Sequence, residues 1–198
     1  MKKIFALSGI LLLPASPWAA AKPGQAAPAF ALKDTGGVEH TLKACAGKWV
    51  VLEWVNYDCP FVKKHYHSGH MPKLQKQWKD KGVTWFSVNS SASGKQGYFE
   101  PADLRRRMEE RKADPTAYLL DTDGKVGKLY GAKTTPHMFV IDTTGKVVYA
   151  GAIDDKPSTD VEDVPGAKNY LSAALEAAMA GKPVDPAATA PYGCSVKY

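Results

Sequence analysis

A chain of 198 residues fits one domain, or one domain with a processed leader. Hydrophobic residues make up 44% and charged residues 23%, too apolar for a disordered chain and too polar for a multi-span membrane protein. The 26 basic and 20 acidic residues leave +6, an excess too small and too dispersed to argue for nucleic acid.

Lys2 and Lys3 open a basic start, Ile4 to Leu13 is an apolar run, and Pro14 to Ala21 ends in small residues. The run is shorter than the roughly 20 residues that span a bilayer. It predicts a bacterial secretory leader over residues 1–21, hence a periplasmic or secreted protein with no membrane span after processing. Residues 22–182 then form the domain and residues 183–198 a Pro-rich tail carrying Cys194.

Within the domain, Phe30 to Lys43 reads as a hairpin around Asp34-Thr35-Gly36-Gly37. The apolar run Trp49 to Val55 predicts a strand buried on both faces, ending at Asn56-Tyr57-Asp58-Cys59-Pro60. Pro60 suits a helix start, and Gly69 and Pro72 are expected to kink or divide that helix. Strands follow at Val83–Val88, Ala117–Leu120 and His137–Ile141, with helices at Pro101–Lys112 and Val126–Tyr130 between them. Asp142 to Gly145 turns the chain into Val147–Ala150, and an Ala-rich helix over Tyr170–Ala180 stops at Gly181. Such alternation gives an α/β protein with a parallel core, made mixed by the late hairpin.

Three cysteines, Cys45, Cys59 and Cys194, permit one bridge and leave one thiol over. Cys59 sits where a strand ends and a helix begins, so unpaired amides and the helix dipole favour its thiolate. Lys63 and Lys64 add to this and Asp58 opposes it. A reactive Cys59 needs its sulfur open to solvent; a buried structural cysteine is the plain alternative. The residues leave three pairings open: Cys59–Cys194, Cys45–Cys194 and Cys45–Cys59.

The stretch VLEWVNYDCPFV resembles the active site of thioredoxin-fold redox proteins, where a strand delivers a reactive Cys-Pro-x-x element. Thr134-Thr135-Pro136 before HMFVID resembles that fold's Thr-Pro element, with a cis proline facing the cysteine. The N-terminal hairpin and FVID-x-x-GKVVY resemble the redoxin branch, and the ending Gly193-Cys194-Ser195-Val196-Lys197 a peroxiredoxin-like subgroup of it. The resemblance implies a thioredoxin-like fold: a mixed central sheet flanked by helices, with an N-terminal β-hairpin extension. It implies a thiol-dependent oxidoreductase or peroxidase in which Cys59 and Cys194 are the working pair, beside Thr135 and Pro136. A mobile tail would carry Cys194 to a fixed nucleophile. Its partners would be a peroxide or disulfide substrate and an external thiol reductant, protein or small molecule; no organic cofactor and no metal is implied.

Three positions depart from these patterns. Val62 stands where a dithiol thioredoxin has its second cysteine. Leu52 and Asn56 stand where peroxiredoxins place Pro and Thr; Asn56 is the group left to orient a peroxide by hydrogen bonding. No arginine is assignable beside the thiolate. His65, His67 and His70 make a copper-binding thioredoxin-fold chaperone, using Cys59 and a histidine, the first competing function, with His67 and His70 on one helix face. A non-catalytic thioredoxin-fold binding module is the second. His137, next to Pro136, is a candidate to tune the thiol. Arg105, Arg106, Arg107, Arg111 and Lys112 read as a solvated face, and the acidic loop from Asp154 to Asp163 receives no role.

Overall fold

The computed structural model describes residues 20–198; the leader expected over residues 1–21 lies outside the described residues except for its last two. Strands β1 (Ala31–Asp34) and β2 (Glu39–Thr41) form the first hairpin. Its turn is closed by the Asp34 carboxylate, which accepts the N–H groups of Gly36 at 2.8 Å and Val38 at 3.0 Å. The apolar run supplies β3 (Val50–Trp54), every residue of it buried. Pro60 opens α1 (Pro60–His67), and Gly69, at φ 72°, divides it from α2 (His70–Asp80). Next come β4 (Thr84–Asn89), α3 (Pro101–Glu110), β5 (Ala117–Leu120) and α4 (Lys125–Tyr130). Then β6 (Thr134–Thr135), β7 (His137–Ile141), β8 (Val147–Gly151), α5 (Tyr170–Met179) and β9 (Cys194–Ser195) complete the chain.

Seven strands form one mixed sheet in the order β2-β1-β5-β4-β3-β7-β8, while β6 and β9 pair separately. Strands β3, β4 and β5 run parallel, and β1 and β7 are antiparallel to the strands beside them. This is the mixed α/β sheet expected from the element order, and the thioredoxin-like architecture that the resemblance implies. Alternation along β3 sends Val51 to one face with α1, α2, α3 and α5, and Val50, Leu52 and Trp54 to the other, with α4 and Phe30. Burying side chains such as Trp54, Trp85 and Phe139 on both faces contributes about 1.5–3 kcal/mol each. Among the described residues no helix is long and apolar enough to cross a membrane.

The tail does not hang free. It lies along β8, where the Thr189 hydroxyl accepts the Ala152 N–H at 2.9 Å, and reaches β6, where Cys194 pairs with Thr135. The expected mobile arm is therefore a docked strap.

Candidate active site

Strand β3 is central and its carboxyl end is where the chain must turn, so the residues just beyond it are held rigidly. Cys59 is the residue just before α1. Its N–H bonds the Asn56 carbonyl at 3.0 Å, and its own carbonyl accepts the N–H groups of Val62 at 3.0 Å and Lys63 at 2.9 Å. With Pro60 in the first turn, the backbone around the sulfur is locked.

The thiol does not face solvent. Cys59 is 0% exposed, which corrects the open position expected of a reactive cysteine. The cover is polar backbone and the tail as well as apolar side chains: Cys59 Sγ donates to the Thr135 carbonyl at 3.1 Å, and Thr135 pairs in turn with Cys194. The Thr135–Pro136 bond is cis, as the resemblance implies. Gly193 lets the tail come this close. Its φ is 135°, and a Cβ there would run into the Thr135 carbonyl oxygen.

Cys194 lies against Cys59. Burial first, then the neighbouring Cys59 sulfur, push the Cys194 thiol up to about 12, so it stays protonated at neutral pH. Once Cys59 carries a substituent its part in the shift is lost, and burial still raises Cys194. Cys45 is elsewhere: it belongs to the core on the opposite face of the sheet, with its Sγ donating to the Thr41 carbonyl at 3.7 Å. All three cysteines are free thiols here. The structure brings Cys59, Cys194, Thr135 and Pro136 together and leaves Cys45 out.

Asn56 is next to the site but occupied. Its Oδ1 accepts the Asp58 N–H at 2.9 Å, its Nδ2 reaches the Gln96 carbonyl at 3.4 Å, and Gly97 packs on its amide. Leu52 is core on the far face.

The arginine helix is not a uniformly solvated face. Arg107 pairs with Asp58 at 3.0 Å and stacks 3.5 Å from the Phe99 ring centre, while Arg111 lies 5.0 Å from that of Tyr57. Arg107 thus offsets the one acidic side chain next to Cys59 in sequence. Its place among other charges on α3 carries no sequence signal, because the partner is 49 residues away.

The histidines are also rearranged. His67 ends α1 and is exposed, and His70 begins α2 beyond Gly69, so the two do not share a helix face. His65 and His70 meet instead, Nδ1 to Nδ1 at 3.2 Å. The Asn169 Oδ1 caps α5 by accepting the Ser172 N–H at 2.7 Å, so its Nδ2 donates to His70 Nε2 at 3.2 Å. His70 then carries its proton on Nδ1 and donates to His65. His65 carries its own on Nε2, 3.2 Å from the Tyr192 hydroxyl, which donates to Asp154 Oδ1 at 2.5 Å. The relay ends on a buried carboxylate whose other oxygen lies 3.9 Å from His65 Nε2 and has no hydrogen-bond partner among the described residues. Among the described residues no group of three or more His, Cys, Asp or Glu is placed to hold a metal. His137 turns away from Cys59: its ring packs 4.5 Å from that of Phe139, on the opposite face, and its Nδ1 accepts the Lys133 N–H at 3.3 Å.

Burial lowers both His65 and His137 to about 3. Each contributes stability that is whole above the unfolded value of about 6.5 and is lost as the pH falls toward 3. Nitrogen-15 spectra are expected to show both rings neutral from pH 8 to pH 5, His65 protonated on Nε2 and His70 on Nδ1. A His65 midpoint above pH 6 would show that the ring is solvated and the relay absent.

A mixed sheet whose strand β3 leads through a short turn into Cys59-Pro60, with Thr135 and Pro136 beside that sulfur, is the thioredoxin fold. The Redoxin family model matches residues 22–171, and the chain belongs to that family. Among solved structures, an uncharacterized conserved protein from Geobacillus kaustophilus is 30% identical, covering 89% of this chain and 92% of its own, with a TM-score of 0.75. A hypothetical protein from Sinorhizobium meliloti 1021 is 25% identical over 91% and 96%, with a TM-score of 0.77. A protein described as thiol:disulfide interchange protein DsbE, from Chlorobium tepidum, is 27% identical over 66% and 85%, with a TM-score of 0.54. No curated protein matches the chain. The fold and these likenesses make the chain thiol–disulfide oxidoreductase-like.

Proposed function

We infer that this chain is an exported thiol–disulfide oxidoreductase of the redoxin type, with Cys59 as nucleophile and Cys194 as resolving partner. The observation that carries the reading is the shared contact at Thr135: its carbonyl accepts Cys59 Sγ–H at 3.1 Å while its strand pairs with Cys194. The Cys59 thiolate attacks one sulfur of a substrate disulfide; the other sulfur leaves as a thiolate and takes up a proton. Deprotonated Cys194 then attacks the Cys59 sulfur of the mixed disulfide and releases the second substrate thiol. Two electrons pass to the substrate and a Cys59–Cys194 disulfide remains. An external thiol reductant returns the pair to thiols.

A disulfide suits the site better than a peroxide. Asn56, the residue left to orient a peroxide, has its amide committed to the loop, and Leu52 is core. A peroxidase of the peroxiredoxin-like type remains the narrower reading. The basic and apolar start supports export to the periplasm or beyond. Titrating the protein with glutathione disulfide tests the assignment. The expected product loses two hydrogens and yields one linked peptide pair, Cys59 with Cys194. A bridge involving Cys45, or none, would overturn it. Faster turnover with hydrogen peroxide than with a protein disulfide would transfer the assignment to peroxidase.

A further inference from the structure

Cys194 is flanked by two aromatic residues, Tyr192 and Tyr198, and each is seated in a place shaped for it. The Tyr192 ring packs 5.9 Å from that of Phe61, in the first turn after Cys59, and its hydroxyl closes the relay from His65 to Asp154. Asp154 is 1% exposed, and its Oδ1 accepts this hydroxyl at 2.5 Å together with the Lys156 N–H at 3.0 Å, so the tail is tied to a buried acceptor. On the other side, the Tyr198 hydroxyl donates to the Ala132 carbonyl at 2.8 Å. Its ring lies on two glycines of the α4 region. A Cβ on Gly124 would stand 2.5 Å from the ring, and one on Gly127 would stand 2.6 Å from the hydroxyl. Between the two seats, Val196 N–H bonds the Lys133 carbonyl at 3.1 Å, and the Lys197 carbonyl accepts the Ala92 N–H at 2.8 Å.

These contacts do not touch the reacting sulfurs. They fix the segment on both sides of one of them. We propose that Tyr192 and Tyr198 are positioning residues that clamp the strap and hold Cys194 over Cys59, so that they set how strongly the pair favours its disulfide. The proposal rests on the reading that Cys59 and Cys194 are the working pair. Bridge formation is an exchange: two protein thiols and one glutathione disulfide give one protein disulfide and two glutathione thiols. Its equilibrium constant measures the effective concentration of one protein thiol at the other, and that concentration depends on how tightly the strap is held. The strap they hold pairs with Thr135 beside Cys59, so loosening either clamp is expected to open the sulfur as well.

The test equilibrates the full chain with mixtures of reduced and oxidised glutathione and reads the Cys59–Cys194 bridge by acid quench and mass spectrometry. Tyr192→Ala and Tyr198→Ala are each expected to lower the equilibrium constant about tenfold or more, and to speed iodoacetamide alkylation of Cys59 in the dithiol form by a similar factor. Tyr198→Phe keeps the ring on its glycines and is expected to recover most of the loss. Gly127→Ala reaches the same seat from outside the tail and should act in the same direction, which covers the case of a tyrosine variant that fails to fold. A normal bridge whose equilibrium stays within twofold of wild type in both alanine variants would overturn the clamps alone. Absence of the bridge in the wild-type chain would overturn the pairing, and the clamps with it.

Discussion

Cys59→Ser is expected to cut the rate of disulfide exchange by about a thousandfold or more, because a serine hydroxyl is not ionised near neutrality and its oxygen cannot form a mixed disulfide. The substitution changes one atom at a site where the backbone is already fixed by Pro60 and by hydrogen bonds to Asn56, Val62 and Lys63, so folding should be little affected. Single-turnover release of an aromatic thiol from its disulfide is the direct assay. Cys194→Ser should behave differently: the first attack proceeds, and a mixed disulfide on Cys59 accumulates because nothing displaces it. Burial still raises the Cys194 thiol in the mixed disulfide, so the resolving step of the intact protein should quicken as the pH rises above neutrality, since attack needs the thiolate. Cys45→Ser should match wild type in both steps. Exchange by Cys59→Ser within tenfold of wild type would remove sulfur 59 from the chemistry.

The largest effect on stability is expected from Glu53. This carboxylate is 0% exposed and accepts four hydrogen bonds: Tyr66 hydroxyl at 2.8 Å on one oxygen, and on the other Trp85 Nε1 at 2.9 Å, Gln75 Nε2 at 3.0 Å and Ser87 Oγ at 3.0 Å. Burial raises its proton affinity above that of an ordinary glutamate, and the four donors oppose that rise. Together they join β3 to β4, α1 and α2 through a single side chain. Glu53→Ala leaves Tyr66, Trp85 and Ser87 without an acceptor in a closed space, Gln75 keeping only its bond to the Tyr66 hydroxyl at 3.1 Å, at a cost of about 3–5 kcal/mol. Against a typical total of about 5–15 kcal/mol that is a large share. A urea melt should show a midpoint lowered by more than about 1 M, with the slope unchanged. Glu53→Gln keeps one acceptor oxygen and should lose less. A Glu53→Ala midpoint within the error of wild type would mean that water enters and replaces the carboxylate.

The sheet and the location of Cys59 are legible in the sequence because both are written in local pattern. The run from Val50 to Trp54, the proline after Cys59 and the Thr-Pro element before β7 each act over a few residues. Gly69 reads as a break in the helix and is one, yet that same break undoes the expected pairing of His67 with His70. The features that escape are long-range. Arg107 sits on a helix whose spacing says only that it is charged, and it meets Asp58 because α3 packs on the same face of the sheet as α1. Tyr192 looks like one more residue of a Pro-rich tail, and nothing near it in the chain announces Asp154 or His65. Part of the cover over Cys59 comes from the same tail, which pairs with Thr135 beside the sulfur, and reading residues 183–198 as mobile leaves that part out.

The sheet itself has a consequence for assembly of the molecule. Three thiols admit three one-bridge isomers, and in an oxidising medium a wrong bridge is a kinetic trap. Because Cys45 belongs to the core on one side of seven hydrogen-bonded strands and Cys59 to the core on the other, the completed sheet is an insulating wall between them. Scrambling to the Cys45–Cys59 isomer therefore requires unfolding, so that wrong bridge can form only before the sheet is complete.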